Sequence, residues 1–184
     1  MNKILKMSCL LSLAFSSNLL AEDYNYDKVS LGLAHYKLDS RTSENGYEIK
    51  YRTSFDNVVF HADYSKVEIY NVDVSQYVIS AGYAVSNTKE RITAIGISLG
   101  EARANDYDIK AKMKAINLIH SYQALDSLEL NTRLSKVLPD DSDNYFEAEI
   151  GFSYYFADNF GFYSSATLTD ASEKIYSLGA NIRF

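Results

Sequence analysis

Apolar and polar residues alternate with a period of two through most of residues 28–184. Ten runs carry the pattern, at 28–38, 46–55, 58–69, 73–85, 91–101, 108–122, 127–138, 144–156, 160–169 and 174–184. Each is long enough for a tilted barrel strand, which needs roughly 9–11 residues. The connections carry separate information. Asp56-Asn57, Ser86–Lys89, Gln123–Asp126 and Ala157–Asn159 are tight, whereas Asp39–Asn45, Glu101–Tyr107, Pro139–Asp143 and Asp170–Glu173 are longer and polar. Short turns on one side and longer loops on the other characterise barrels that span membranes, with the short turns periplasmic. Only the connection near Tyr70-Asn71 is short where a longer one is expected. The pattern predicts an all-β fold, a ten-stranded antiparallel transmembrane β-barrel with both ends on one side.

Turn positions also predict registers. A two-residue turn at Asp56-Asn57 pairs Phe55 with Val58, Thr53 with Phe60 and Tyr51 with Ala62. On the other face Lys50 then meets Asp63, and Arg52 meets His61. Around Ala157–Asn159, Phe156 pairs with Phe160 and Tyr154 with Phe162, and the loop after Pro139 sets Glu149 against Arg133 and Glu147 against Ser135. A slip of one residue would mix the faces. The apolar face carries residues such as Ile49, Tyr51, Ile95, Ile97, Ile150 and Phe152, while the opposite face holds Glu48, Lys50, Arg52, Asp63, Glu129, Arg133, Glu147 and Glu149. A soluble sandwich also alternates, but aromatic residues at strand ends, including Phe55, Tyr83, Tyr122 and Phe156, favour a lipid-facing belt. In the sixth run, Lys110, Lys112 and Lys114 share one face. They are expected to point into the lumen, because a lipid-facing Lys costs ~2–4 kcal/mol at the midplane. That phase turns Ile116 and Leu118 inward unless a bulge near Ala115 swaps the faces. An eight-stranded barrel is the alternative if this run is misread.

The last run, Lys174 to Phe184, places Tyr176, Leu178, Ala180, Ile182 and Phe184 on one face. Ser177, Gly179, Ile182 and Phe184 fit a polar-x-Gly-x-x-apolar-x-apolar pattern. This stretch resembles the closing strand of bacterial outer-membrane barrels, and the resemblance implies an assembly signal for the barrel-assembly machinery. The front end has the order of a secretory signal peptide: Lys3 and Lys6, an apolar Met7–Phe15 stretch, then a small-residue exit at Ala21 before Glu22-Asp23. The expected organisation is a signal peptide over 1–21, cleaved near Ala21, and one barrel domain over 22–184. The apolar stretch is shorter than the about 20 residues that a spanning helix needs. Cys9 is the one cysteine, so the exported domain has no disulfide.

Composition narrows the partners. With 16 Tyr, 9 Phe and no Trp, the chain is rich in interfacial aromatics, and a net charge of −6 argues against nucleic acid. The length, the strand count, the Phe156-Ala-Asp-Asn-Phe160 turn and the terminal Phe184 together resemble a family of small porin-like outer-membrane barrels. One branch of that family has carried a quorum-sensing description, which does not transfer, since nothing in this chain encodes a secreted signal. The resemblance implies localisation to the outer membrane of a Gram-negative bacterium.

Candidate chemistry is sparse. His120-Ser121 is adjacent in sequence, and adjacent strand residues point to opposite faces. His61 and Asp63 share the inward face, with Arg52 opposite His61, and His35 stands alone. Pro139–Asn144 gathers three carboxylates but lacks the spacing of a calcium loop. No phosphate loop, metal spacing or cofactor motif is present, so no catalytic, metal or cofactor residue is expected. The inward charges define the candidate site: Glu48, Lys50, Arg52, Asp63, Lys110, Lys112, Lys114, Glu129, Arg133, Glu147 and Glu149. The expectation is a non-enzymatic, monomeric barrel, structural or with a charge-filled lumen, in contact with outer-membrane lipids and lipopolysaccharide. A narrow channel for small solutes or ions and surface recognition through the external loops are the alternatives.

Overall fold

The computed structural model describes residues 26–37, 43–55, 57–104, 107, 109–170 and 173–184. The expected signal peptide over 1–21 lies outside the described residues. Ten strands follow one another: β1 (Lys28–Lys37), β2 (Ser43–Phe55), β3 (Val58–Ile69), β4 (Val72–Thr88), β5 (Arg91–Ala104), β6 (Ile109–Leu125), β7 (Leu128–Pro139), β8 (Tyr145–Ala157), β9 (Phe160–Thr169) and β10 (Lys174–Arg183). Each pairs antiparallel with its neighbours in sequence, and β10 returns to β1, closing the barrel. The closing register runs from Lys28 opposite Arg183 to Lys37 opposite Lys174. Beyond it, the Phe184 amide donates to the Asp27 carbonyl at 3.2 Å.

The connections divide as expected. The end that carries Tyr26 and Phe184, called here the near end, holds the turns after β2, β4, β6 and β8, and the far end holds the other connections. Three register shifts, at Ala84/Ser86, Gln123/Leu125 and Tyr155/Ala157, lie beside near-end turns. The third changes one expected pair: Tyr154 meets Phe162, but Phe160 is opposite Ala157, and Phe156 is displaced by the bulge. The rings of Phe156 and Phe160 remain 5.7 Å apart. At the far end, Tyr70 and Asn71 connect β3 to β4 with φ of 51° and 60°. Positive φ at both central residues is the type I′ signature, whose twist matches the flanking strands, so this hairpin needs no longer loop.

Outward residues form an apolar wall that includes Leu33, Phe55, Ile79, Ile97, Ile150, Phe156 and Leu178. Aromatic rings thicken it at both ends, with Tyr51 stacked on Phe184 at the near end and Tyr47 beside Tyr64 toward the far end. A closed wall of this kind satisfies its backbone internally and faces hydrocarbon rather than water.

The sixth strand departs from expectation. Pairing between β5 and β6 is unbroken from Ile109 to Tyr122, so no bulge occurs at Ala115. Ile116 and Leu118 point outward, and so do Lys110, Lys112 and Lys114, which are exposed rather than luminal. The reason is depth. Ten residues separate the outward Tyr122 from Lys112, which is roughly 23 Å of height at ~3.3 Å per residue and a tilt near 45°. That spans the whole apolar band, so the lysines lie at its far border, where a lipid-side charge costs only ~0–1 kcal/mol.

Inside the wall, residues stack in layers. Tyr26, Val59 and Ile92 make a small apolar cluster at the near end. Charged residues occupy the middle. Toward the far end come Val78, Met113, Ala115 and Val137, then Tyr36, Val67, Ile69, Val72, Val74 and Ile175. Gly32 and Gly179 face each other across the closing seam. A Cβ on Gly179 would lie 2.6 Å from Cε1 of Tyr163 and 2.1 Å from the Leu31 carbonyl oxygen. The seam is bare at this level because the Tyr163 ring lies against it. Gly179→Val is therefore expected to lower stability by ~1–3 kcal/mol through overpacking. Urea unfolding in lipid vesicles measures this, and lipid-facing Leu178→Val is expected to shift the midpoint much less.

Candidate functional site

The candidate site is the middle layer of the lumen. Period-two alternation sends every second side chain of each strand inward, so it collects residues far apart in sequence. β2 contributes Glu48, Lys50 and Arg52, β3 contributes Asp63, β7 contributes Glu129 and Arg133, and β8 contributes Glu147 and Glu149. All of these expected luminal residues face inward. The predicted registers Lys50–Asp63, Arg52–His61, Arg133–Glu149 and Ser135–Glu147 are all present.

Arg133 is the hub. Its guanidinium hydrogen-bonds Glu149, lies 3.7 Å from Glu147 Oε1, and approaches Asp63 Oδ2 at 3.9 Å. The last contact crosses the lumen from β7 to β3. Lys50 binds Glu48 at 2.9 Å and reaches Glu149 at 3.5 Å. Lys28, on β1, crosses the barrel to pair with Glu129 on β7. All of these residues are buried. A buried pair loses its hydration, and this loss is offset only when geometry and additional hydrogen bonds are good. Additional bonds are present in part: Tyr163 donates to Glu48 at 2.6 Å, and the Arg52 guanidinium donates to Asn131 at 3.5 Å, whereas both Asp63 carboxylate oxygens and Arg133 Nε are buried without a hydrogen bond. Within this layer Ser30 donates to Asn181 at 2.5 Å, and Asn181 donates to Ser153 at 2.8 Å.

Space within the layer is small. A void of about 20 Å³ lies among Tyr26, Arg52, His61 and Arg133, and another of about 20 Å³ lies among Lys28, Lys50, Arg52 and Tyr163. Each has room for about one water molecule.

Three contributors were missing from the expected site. Lys28 and Tyr163 carried a usable signal: Lys28 keeps the phase of Ser30, Gly32 and Ala34, and Tyr163 that of Gly161. Tyr26 precedes the first alternating run, so periodicity could not place it. It folds into the near end of the lumen, where its hydroxyl lies 2.7 Å from His61 Nε2 and its ring stacks on the imidazole at 5.4 Å. Lys28 Nζ sits 5.6 Å from the centre of the same ring.

The remaining candidates stay apart. His120 faces outward with Nδ1 2.9 Å from Thr93 Oγ1, while Ser121 faces inward and donates to Asn131 at 2.8 Å. His35 pairs with Asn45 on the exposed face. In the acidic loop, Asp140 binds Lys114 at 2.9 Å. Among the described residues, no group of three or more His, Cys, Asp and Glu could hold a metal ion.

No protein-family model matches the chain, and no curated protein matches it. Some solved structures are similar in part. A KdgM porin is 13% identical, with 84% of this chain and 99% of that chain covered and a TM-score of 0.48. An active-site mutant of outer membrane phospholipase A from Escherichia coli is 12% identical, covering 88% and 92% at a TM-score of 0.48. A de novo designed transmembrane β-barrel is 14% identical, covering 90% and 100% at 0.42.

Because Arg133 holds three carboxylates, Arg133→Met alone is expected to cost ~3–5 kcal/mol by leaving buried charge uncompensated. Lys28→Met should also destabilise, and adding Glu129→Met should recover most of that loss, since replacing both partners of a buried pair is often close to neutral. Denaturant unfolding of the two single variants and the double variant checks both statements.

Proposed function

We propose that this protein is a non-enzymatic structural barrel of the bacterial outer membrane, with a lumen filled by its own charged side chains. The single observation that supports this most strongly is the Arg133 hub, which joins β3, β7 and β8 across the lumen beside voids of about 20 Å³. Apolar clusters above and below the charged layer add to the filling. A ten-stranded barrel lies near the limit at which side chains fill the interior.

The orientation follows from the connections. Short turns lie on the periplasmic side of such barrels, so the near end faces the periplasm and the far end the exterior. In this reading the leader is cleaved near Ala21, and the barrel-assembly machinery engages the closing strand, whose Ser177 and Gly179 face inward and whose Ile182 and Phe184 face lipid. The absence of catalysis is inferred from the separation of the candidate groups: His120 and Ser121 point to opposite faces, and His61 is engaged by Tyr26.

A filled lumen conducts poorly. The folded protein, identified by heat-modifiable gel mobility, is expected to insert into a planar bilayer without discrete conductance steps. Steps whose ion selectivity reverses in Glu149→Lys would establish a charged pore and overturn this reading in favour of a narrow channel.

A further inference from the structure

The near end of the lumen is closed by a residue that belongs to no strand. Tyr26 lies ahead of β1, yet it is only 1% exposed and packs with Val59 of β3 and Ile92 of β5. Another part of the mouth is covered from the wall itself, by Tyr155 of β8 with the Arg183 guanidinium 4.2 Å from its ring centre. Behind Tyr26 is a void of about 20 Å³, bounded also by Arg52, His61, Ser121, Asn131 and Arg133. Every residue around this void except Tyr26 is carried by a paired strand. Tyr26 is therefore the one part of its wall that can leave without breaking the sheet.

The contacts of Asp27 and Tyr26 differ in kind. Asp27 is fixed to the barrel: its carboxylate accepts from the Ser54 amide at 3.0 Å, and its carbonyl from the Phe184 amide at 3.2 Å. Tyr26, one residue further out, lies beyond the last register pairs of β1, which join Lys28 to Arg183 and to Arg52. It grips the lumen with its side chain. The hydroxyl lies 2.7 Å from His61 Nε2, the ring stacks on the imidazole, and Lys28 Nζ sits 5.6 Å from the ring centre. Strands of a closed sheet open together, whereas a terminal residue held by its side chain can open alone.

We propose that Tyr26 is a hinged stopper of the near mouth. It swings out about Asp27 and opens a chamber of phenol size, while the sheet and the ion pairs stay in place. The inference rests on the filled-lumen reading and adds one movable element to it. The opened chamber is polar. Arg52 Nε, His61 Nδ1 and Arg133 Nε, from residues of its wall, are buried without a hydrogen-bond partner, so a small polar solute entering from the near side meets unsatisfied nitrogen atoms. Glu149 on the same wall is already engaged by Arg133 and Lys50. The chamber is a dead end, because Arg133 ties β7 to β3 and β8 at this layer.

Thiol accessibility in the folded full-length chain tests the stopper. In a Cys9→Ser background, Ser121→Cys places a thiol in the chamber wall, and Ala102→Cys places one in the far part of the lumen. The probe is a small water-soluble methanethiosulfonate, and heat-modifiable mobility identifies the folded fraction of each variant. With Tyr26 present, both thiols are expected to stay protected. Tyr26→Phe keeps the ring and loses the hydroxyl, which should speed labelling at position 121 roughly fivefold, the factor for one hydrogen bond. Tyr26→Ala removes the cover and should bring position 121 close to its unfolded rate, with position 102 still protected. Unchanged protection of position 121 in Tyr26→Ala would overturn the stopper and leave the filled lumen standing. Equal acceleration at both positions would mean a general loosening of the barrel and would also overturn it. Rapid labelling of position 121 with Tyr26 in place would show an open lumen and remove both readings.

Discussion

Everything in this structure depends on the meeting of β10 with β1. In hydrocarbon an unpaired backbone amide or carbonyl costs several kcal/mol, so a sheet can cross only if it has no edge. Closure through the register from Lys28–Arg183 to Lys37–Lys174 meets that condition. It also imposes the rest: antiparallel neighbours throughout, two opposite faces on every strand, and an interior of fixed width. Once the width is fixed, the inward residues must fill it. Tyr163 lying against the bare Gly32–Gly179 seam is the local form of that demand, because the ring that reaches Glu48 needs wall without side chains beneath it.

The interior is polar in its middle and apolar at its ends, and each part has a physical role. Facing lipid outside, the barrel gains its sidedness from having a different chemistry inside. If both faces were apolar, a one-residue slip would change little, whereas a slip here would put Glu129, Arg133 and Glu149 into hydrocarbon. The charged layer therefore specifies the register more than it adds stability. Buried ion pairs are weak stabilisers against an apolar filling of the same volume, but they strongly penalise alternatives that leave one charge alone. Cross-lumen pairs such as Lys28–Glu129 and Arg133–Asp63 also tie together strands that share no backbone hydrogen bonds.

Much of this was legible in the sequence, and the misreadings have identifiable causes. Strand number and the registers at Asp56-Asn57 and Pro139 could be read because turn position and side-chain alternation specify the same pairing. The luminal charges on β2, β3, β7 and β8 could be read because in those strands they alternate with bulky apolar residues. Lys110, Lys112 and Lys114 could not, since alternation reports a face but not a depth, and β6 runs past the apolar band. Continuity of Ile116 and Leu118 with the outward wall was the stronger constraint. Tyr26 lacked a phase, lying ahead of the first strand. The β3–β4 connection broke the rule of long far-end loops because Tyr70 and Asn71 accept the left-handed conformation that a two-residue turn requires.

The central claim is that the lumen is packed shut around its ion pairs, and water access at Ser98 tests it most directly. Ser98 is buried on the luminal face, where its hydroxyl accepts from Ser80 at 2.8 Å and from Asn117 at 2.7 Å. In a Cys9→Ser background, Ser98→Cys would supply the only thiol. The account predicts that a water-soluble maleimide leaves this thiol unmodified in the folded barrel and labels it promptly after unfolding. Rapid labelling in the folded, membrane-inserted state would mean a water-filled lumen and would contradict it.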